Sequence, residues 1–183
     1  MNAQLNQKIF DGMTMKYDVR ETILSIVGVF LETVCKNSEI CLTPLDVVVV
    51  GSNAAYNYSE TSDLDVHIIL NYDMIDGDPD ELIQSYFNAE KSNFNDKYSF
   101  TVKGIDVELY VEDVNTSSVT NGIYSVLNDE WIKKPVPTSI NHFVDQSKLD
   151  DLIFEINEVF SGESVGAIED MINKLYLMRK YSL

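Results

Sequence analysis

The 183-residue sequence predicts an α+β fold: a mixed β-sheet with flanking helices, followed by a C-terminal helical annex. Three observations indicate this class. Apolar residues first recur at three- and four-residue steps, short β-branched runs bounded by turn residues follow, and the final segment returns to helical spacing. We expect a core domain over residues 1–145 and an annex over 146–183, truncated if the protein continues beyond Leu183.

The first part of the core is predicted as helix, strand, short helix and strand. Residues 1–15 are polar and Met-rich, which favours a loose arm or a short helical lead-in. The apolar spacing over 17–35 predicts an amphipathic helix. The β-branched run at 45–50 predicts a buried strand, residues 54–58 a short helix, and 64–70 a second strand.

The rest of the chain alternates loops with regular elements. The acidic start of the segment 80–93 suits a helix N-terminus, and Gly104 marks a bend between two strands. Residues 123–132 are weakly amphipathic. The predicted elements are a loop over 71–79, a helix over 80–93, strands over 98–103 and 105–111, a loop over 113–121, and two helices across 147–181.

Charge and cysteine content limit the function and the compartment. Thirty acidic residues against thirteen basic ones give a net charge of −17, which argues against gripping a long phosphate backbone. Cys35 and Cys41 have no His partners at zinc-like spacing, so a reduced intracellular thiol pair is expected. No segment resembles a membrane span or a signal peptide. We therefore expect a cytoplasmic protein without a membrane partner.

Two acidic motifs at strand positions carry most of the functional information. Asp63 and Asp65 alternate on one extended segment, so they project from the same face and repel each other unless a cation lies between them. Gly51 and Ser52 end the preceding strand, where a backbone turn can approach and hold phosphates. A solvated Asp-x-Asp turn is the alternative, but Asp65 continues directly into an apolar strand.

The strand at 105–111 adds a third carboxylate to this pattern. Asp106 and Glu108 alternate with apolar residues and occupy its polar face. If this strand pairs beside the Asp63/Asp65 strand, three carboxylates converge. Such a set suits two-metal phosphoryl or nucleotidyl transfer, because carboxylate oxygens are preferred Mg²⁺ ligands.

These motifs together resemble the nucleotidyltransferase superfamily of DNA polymerase beta. The resemblance covers Val50-Gly51-Ser52, Asp63-Leu64-Asp65-Val66 and the acidic strand position at Asp106 or Glu108. The stretch Val107 to Asp113 and the segment 122–132 are also similar to small predicted nucleotidyltransferases of phages and bacteria. Because this stretch contains Glu108-Leu109-Tyr110-Val111, the similarity favours Glu108 as the third carboxylate. The resemblance extends the expected location to a phage protein in its host's cytoplasm.

The resemblance implies a role for each matched residue. Gly51 and Ser52 would form the phosphate turn, and Asp63, Asp65 and Glu108 would be catalytic residues that bind two Mg²⁺ ions, with Asp106 as the alternative third ligand. Because the superfamily often takes a lysine from its helical annex, Lys174 is the predicted triphosphate contact, although cations near a helix C-terminus also complement the helix dipole. Arg179 and Lys180 on the same predicted helix are further candidates for this contact.

Other residues near these motifs have competing interpretations. His67 shares the Asp63/Asp65 face and could touch an attacking hydroxyl, but a structural role is favoured. Tyr56 and Tyr58 either stack on a base or cover the turn. Trp131 and Tyr124 are expected to pack a loop onto the core.

The resulting hypothesis is a Mg²⁺-dependent nucleotidyltransferase. It would transfer NMP from an NTP, with ATP as the expected donor, to a hydroxyl of a protein, a small molecule or an RNA end, and release pyrophosphate. The acidic surface favours a protein or small-molecule acceptor over long nucleic acid. Two alternatives are a non-catalytic nucleotide-binding or interaction module of the same fold, and an acidic mimic that occupies a partner's basic surface.

Overall fold

The chain forms two compact units, Met1–Thr138 and Ser139–Leu183. The structure is a computed structural model that describes residues 2–38, 41–75, 80–116 and 120–137, with eight positions between 153 and 175. Those eight positions are all helical; the rest of the predicted annex, and the predicted boundary after residue 145, lie outside the described residues. Within the described part of the chain, no helix has the length and hydrophobicity needed to cross a bilayer.

The first unit combines a mixed sheet with two helices, which confirms the predicted α+β class. The helices are α1 (Tyr17–Ser38) and α2 (Asp80–Lys97), and 3-10 turns lie at Ser52–Ala54 and Tyr72–Met74. The strands are β1 (Phe10–Asp11), β2 (Thr14–Met15), β3 (Asp46–Val49), β4 (Leu64–Leu70), β5 (Thr101–Val102), β6 (Ile105–Asp113), β7 (Ile123–Ser125) and β8 (Glu130–Lys133). The order in the six-stranded sheet is β5-β6-β4-β3-β7-β8.

The neighbouring strands β4 and β6 run parallel, whereas their other pairings in the sheet are antiparallel. A parallel pair needs a crossover between its strands, and the segment that contains α2 supplies it. The register pairs Asp65 with Glu108 and His67 with Tyr110. Because side chains alternate along a strand, these four residues lie on one face of the sheet.

The opposite face of the sheet packs in the hydrophobic core. Leu64, Val66, Ile68 and Leu70 are at most 2% exposed, and they belong to one apolar cluster with the buried stripe of α1. That stripe recurs at three- and four-residue steps, as the sequence predicts. Burial of one face therefore selects the register of β4 and directs its polar residues to the other side.

Helix α2 packs beside β6. The short strand β5 pairs with only two residues of β6, Ile105 and Asp106. The Gln84 side chain donates a hydrogen bond of 3.1 Å to the Val111 carbonyl of β6. The same amide accepts a 3.0 Å hydrogen bond from the Tyr72 hydroxyl. The first bond holds α2 against the strand that carries Glu108, and the second joins α2 to the 3-10 turn at Tyr72–Met74.

The prediction for the N-terminal end of the first unit is wrong, and the weakly amphipathic segment 123–132 proves to be a β-hairpin. The N-terminal segment is neither a loose arm nor a helix: β1 and β2 form a hairpin, and Phe10 is only 2% exposed. Residues 123–132 form most of the antiparallel β7–β8 hairpin, and the Asp129 backbone adopts a positive φ of 57° in its turn. The two hairpins pack against each other: the Phe10 ring stacks on Trp131 at 5.3 Å and meets Tyr124 edge-on at 5.4 Å. The expected packing role of Tyr124 and Trp131 is therefore confirmed.

The expected reduced thiol pair is also wrong, because Cys35 and Cys41 form a disulfide. Their Cα atoms are 4.5 Å apart, within the range that a disulfide can bridge. The bond joins the last turn of α1 to the segment that leads into β3. A cytoplasmic location remains a prediction.

Candidate functional site

The turn after β3 lies directly against the Asp65 carboxylate. Gly51 has φ +70° and ψ −156°, a combination available almost only to glycine. A Cβ atom at this position would be 2.0 Å from Oδ2 of Asp65. The Val50 amide, one residue earlier, donates to the Asp65 carbonyl at 3.1 Å. Glycine is therefore required here for both conformation and space.

The segment after Gly51 differs from the predicted helix over 54–58. It is a three-residue 3-10 turn, Ser52–Ala54, which ends because Ala55 is extended. Ser52 is partly exposed at the start of this turn. So short a turn offers phosphates only local N–H groups and no substantial helix dipole.

Asn53 is a buried polar residue that holds this turn to the start of β4. Its side chain is fully buried and donates to the carbonyl of Asp63 at 2.6 Å and to that of Ser62 at 3.3 Å. Its Oδ1 accepts a 2.7 Å hydrogen bond from Asn6. Asn53 therefore sets the position of Asp63 relative to Gly51. We did not predict this role, because an asparagine in a polar spacer carries no distinctive sequence signal.

Two of the predicted carboxylates, Asp65 and Glu108, lie on one face of β4 and β6. We call it the carboxylate face and define it by Asp65, His67, Glu108, Tyr110 and Glu112. Asp65 and Glu108 are direct register partners. Asp63 is exposed and precedes the first residue of β4. The alternative ligand Asp106 is also exposed, and its register partner in β5 is Thr101. Of the two candidates, Glu108 is the one level with Asp65.

Lys91 of α2 contacts two residues of the carboxylate face on β6. Its ammonium nitrogen is 3.4 Å from Oε1 of Glu108 and 3.7 Å from the centre of the Tyr110 ring. The Lys91 side chain is 16% exposed and that of Glu108 is 26% exposed, so water only partly screens the pair. We did not predict this contact, because only the packing of α2 against β6 distinguishes Lys91 from the other lysines.

His67 lies next to Tyr110, with 4.7 Å between the two ring centres. Its Nδ1 is 3.0 Å from Oε1 of Glu112, but the direction of approach does not meet the geometry of a hydrogen bond. His67 and Glu112 therefore form an ion pair only when His67 is protonated, and they form no hydrogen bond in this geometry. His67 shares the face of Asp65, as the alternation predicts.

The remaining predicted site residues fall into two groups. Lys174, Arg179 and Lys180 lie outside the described residues. Tyr56 and Tyr58 are partly buried, and their carbonyls accept hydrogen bonds from Asn2 at 2.7 Å.

The residues fit a magnesium ion by donor type, because the carboxylates of Asp63, Asp65 and Glu108 are hard oxygen ligands. The strand register also fits, since Glu108 is level with Asp65. The side chains are not assembled into a finished site: in the described ranges, no three His, Cys, Asp or Glu residues form a group that could hold a metal. Glu108 instead contacts Lys91.

Comparison with known proteins adds no family assignment to this geometry. No family model matches the chain, and neither a curated protein nor a solved structure matches it.

Proposed function

We propose that this protein is a Mg²⁺-dependent nucleotidyltransferase with a fold of the DNA polymerase beta type. It would bind an NTP, with ATP as the expected donor, and transfer NMP to an acceptor hydroxyl with release of pyrophosphate. The observation that carries the proposal is the contact between the Gly51 turn and Asp65, with Glu108 level with Asp65 on the next strand. A phosphate turn and two facing carboxylates are the parts that metal-assisted phosphoryl transfer needs.

Each residue has a role in this proposal. Backbone N–H groups at Gly51 and Ser52 would contact the triphosphate, and Lys174 would add a positive charge. Asp63, Asp65 and Glu108 would hold the metal, with Asp106 as the alternative third ligand. Bound Mg²⁺ would neutralise the triphosphate and stabilise charge on the reacting oxygens. Glu108 could also accept the proton that leaves the attacking hydroxyl.

The acceptor is proposed to be a protein side chain or a small molecule. The net charge of −17 disfavours a long nucleic acid, because each phosphate contact needs a cationic partner. The end of an RNA remains in this proposal, since a single terminal nucleotide needs few backbone contacts. These acceptors share a nucleophilic hydroxyl, so the same carboxylate set serves all of them.

One observation favours a second candidate, a non-catalytic nucleotide-binding module of the same fold. The ammonium of Lys91 already neutralises Glu108, which the enzyme would need as a metal ligand. Such a module would bind NTP at the Gly51 turn and would not release pyrophosphate.

The test is to incubate the protein with Mg²⁺ and each NTP, and to measure both NTP binding and pyrophosphate release in the presence of a host cell extract as a source of acceptor. An inactivated extract is the blank. Asp63→Asn and Asp65→Asn should each lower the release rate about 100-fold or more, because removal of one electrostatic catalyst has effects of that size. Asp96→Asn, an exposed position on α2, is the matched control and should retain the full rate.

The outcomes separate the candidates. Release that depends on Asp63 and Asp65 supports the enzyme. Tight Mg²⁺-dependent NTP binding without release supports the module. If the protein binds no NTP at all, both candidates are wrong and the acidic mimic remains.

A further inference from the structure

The pairing of Lys91 with Glu108 differs from an ordinary surface ion pair. Lys91 is anchored on a helix that packs along β6, its ammonium lies over the Tyr110 ring, and its side chain is 16% exposed. The Tyr110 ring and the Glu108 carboxylate both attract the Lys91 ammonium, because an aromatic face and an anion each stabilise a cation. These two attractions hold the ammonium beside Glu108, which is the register partner of Asp65.

We propose that Lys91 is the resident counter-cation of this site, and that it competes with a divalent metal ion for Glu108. This inference rests on the proposed function, because the metal ion is part of that proposal. Without the ammonium, Asp65 and Glu108 would be two anions on adjacent strands, and their repulsion would disfavour the folded site. Lys91 relieves this repulsion in the metal-free protein and must release Glu108 before that carboxylate ligates a metal.

The charges around Lys91 support competition rather than a purely structural role. The carboxylate face carries acidic groups at Asp65, Glu108 and Glu112, and His67 lies beside Tyr110 within it. A divalent ion would neutralise more of this charge than one ammonium does. The ammonium would remain near the site on its flexible stem, where the triphosphate is proposed to bind.

The test is a calorimetric titration of the folded, full-length protein with Mn²⁺ as the probe. Lys91→Met keeps the apolar stem and removes the charge, so it should bind Mn²⁺ about tenfold more tightly than the natural protein, equivalent to about 1.4 kcal/mol. Lys91→Arg keeps the charge and can grip Glu108 with two N–H groups, so it should weaken Mn²⁺ binding. Opposite shifts from two variants at one position cannot result from a general loss of stability.

Two controls identify the carboxylate and the lysine. Lys97→Met removes another lysine of α2 that lies over an aromatic ring, Tyr98 at 5.1 Å, and should leave Mn²⁺ affinity unchanged. Adding Glu108→Gln to Lys91→Met should abolish the gain, because the competition is for Glu108.

Each result decides the inference. Tighter binding in Lys91→Met that depends on Glu108 supports it. Equal or weaker binding in Lys91→Met, with clear binding in the natural protein, overturns the role of Lys91 and leaves the proposed function intact. Absence of Mn²⁺ binding in both proteins overturns the inference and the metal-dependent function together.

Discussion

Replacing Gly51 with alanine should destabilise the first unit through two separate effects. The backbone of Gly51 has φ +70° and ψ −156°, and holding a non-glycine residue in such a conformation costs about 1–3 kcal/mol. The new Cβ would also lie 2.0 Å from Oδ2 of Asp65, so the carboxylate must move. Driving a side chain off its rotamer adds about 0.5–1.5 kcal/mol. We therefore expect Gly51→Ala to lower the free energy of unfolding by about 1.5–4.5 kcal/mol.

The loss can be measured by urea unfolding with tryptophan fluorescence. Trp131 is the only tryptophan, and it stacks on Phe10 in the first unit, so its signal reports that unit. With a urea dependence of about 2 kcal/mol per molar, the expected loss moves the midpoint by about 1–2 M. A domain stability of about 5–15 kcal/mol leaves the variant folded in buffer.

Three other glycines separate the two effects. Gly12 has φ +59° with open space around its Cβ position, so Gly12→Ala measures backbone conformation alone. A Cβ on Gly122 would lie 2.0 Å from the Ala54 carbonyl oxygen, so Gly122→Ala measures close contact with the 3-10 turn. Gly28 lies inside α1 with nothing within 4 Å, and alanine there should stabilise by about 0.5–1 kcal/mol.

The comparison of Gly51 with Gly12 decides the reasoning. Gly51→Ala should be more destabilising than Gly12→Ala, and it should also lower Mn²⁺ affinity because Asp65 is displaced. Equal losses in the two variants would refute the contact between the turn and the Asp65 carboxylate.

Three further changes test the supports of the site and of the fold. Asn53→Ala should lower the free energy of unfolding by about 2 kcal/mol, because its buried side chain bonds three other residues, and an unchanged urea midpoint would contradict this. Tyr124→Phe should lower it by about 1–2 kcal/mol, since the hydroxyl accepts from the Met15 amide and donates to Asp129. Burial raises the pKa of Tyr124 to about 12, so the natural protein should lose stability as the pH rises from about 10 to 12, and the variant should lack this loss in alkaline unfolding curves. Partial burial raises the pKa of Asp113, but hydrogen bonds donated by the Tyr72 and Asn115 amides outweigh it and hold that pKa below its ordinary value. The stability that this carboxylate adds should therefore disappear as the pH falls below about 4, and Asp113→Asn should be less acid-sensitive in urea midpoints compared at pH 7 and pH 3.

The sequence pattern predicted the elements in which buried residues recur at every second position of a strand or every third and fourth position of a helix. β4 spans Leu64–Leu70 as predicted, because alternate residues enter the core. α1 begins at Tyr17 as predicted and continues to Ser38, beyond the predicted end at 35, because apolar periodicity does not define the last polar turn. α2 likewise continues to Lys97 rather than ending at 93.

Elements that depend on distant partners could not be predicted in the same way. β7 has only three residues, and it is a strand because it pairs with β3 and β8. The burial of Phe10 depends on Tyr124 and Trp131, which lie more than a hundred residues later. The disulfide of Cys35 and Cys41 depends on the close approach of their Cα atoms, 4.5 Å, which their spacing in the sequence does not reveal.

The candidate site was predictable in its parts, whereas its internal contacts were not. Alternation alone placed Asp65 and Glu108 on the polar faces of two strands, but their pairing required the register of the sheet. Gly51 was predicted to allow close approach, and the structure identifies the approached group as the Asp65 carboxylate. Asn53 and Lys91 act through tertiary contacts for which a single sequence carries no signal.

The most direct test of the proposed nucleotidyltransferase is a crystal structure with Mg²⁺ and a non-hydrolysable ATP analogue. We predict the triphosphate against Gly51 and Ser52, and a cation about 2.0–2.1 Å from carboxylate oxygens of Asp63 and Asp65. A nucleotide bound elsewhere, or a triphosphate at the turn with no cation on either aspartate, would contradict the proposal.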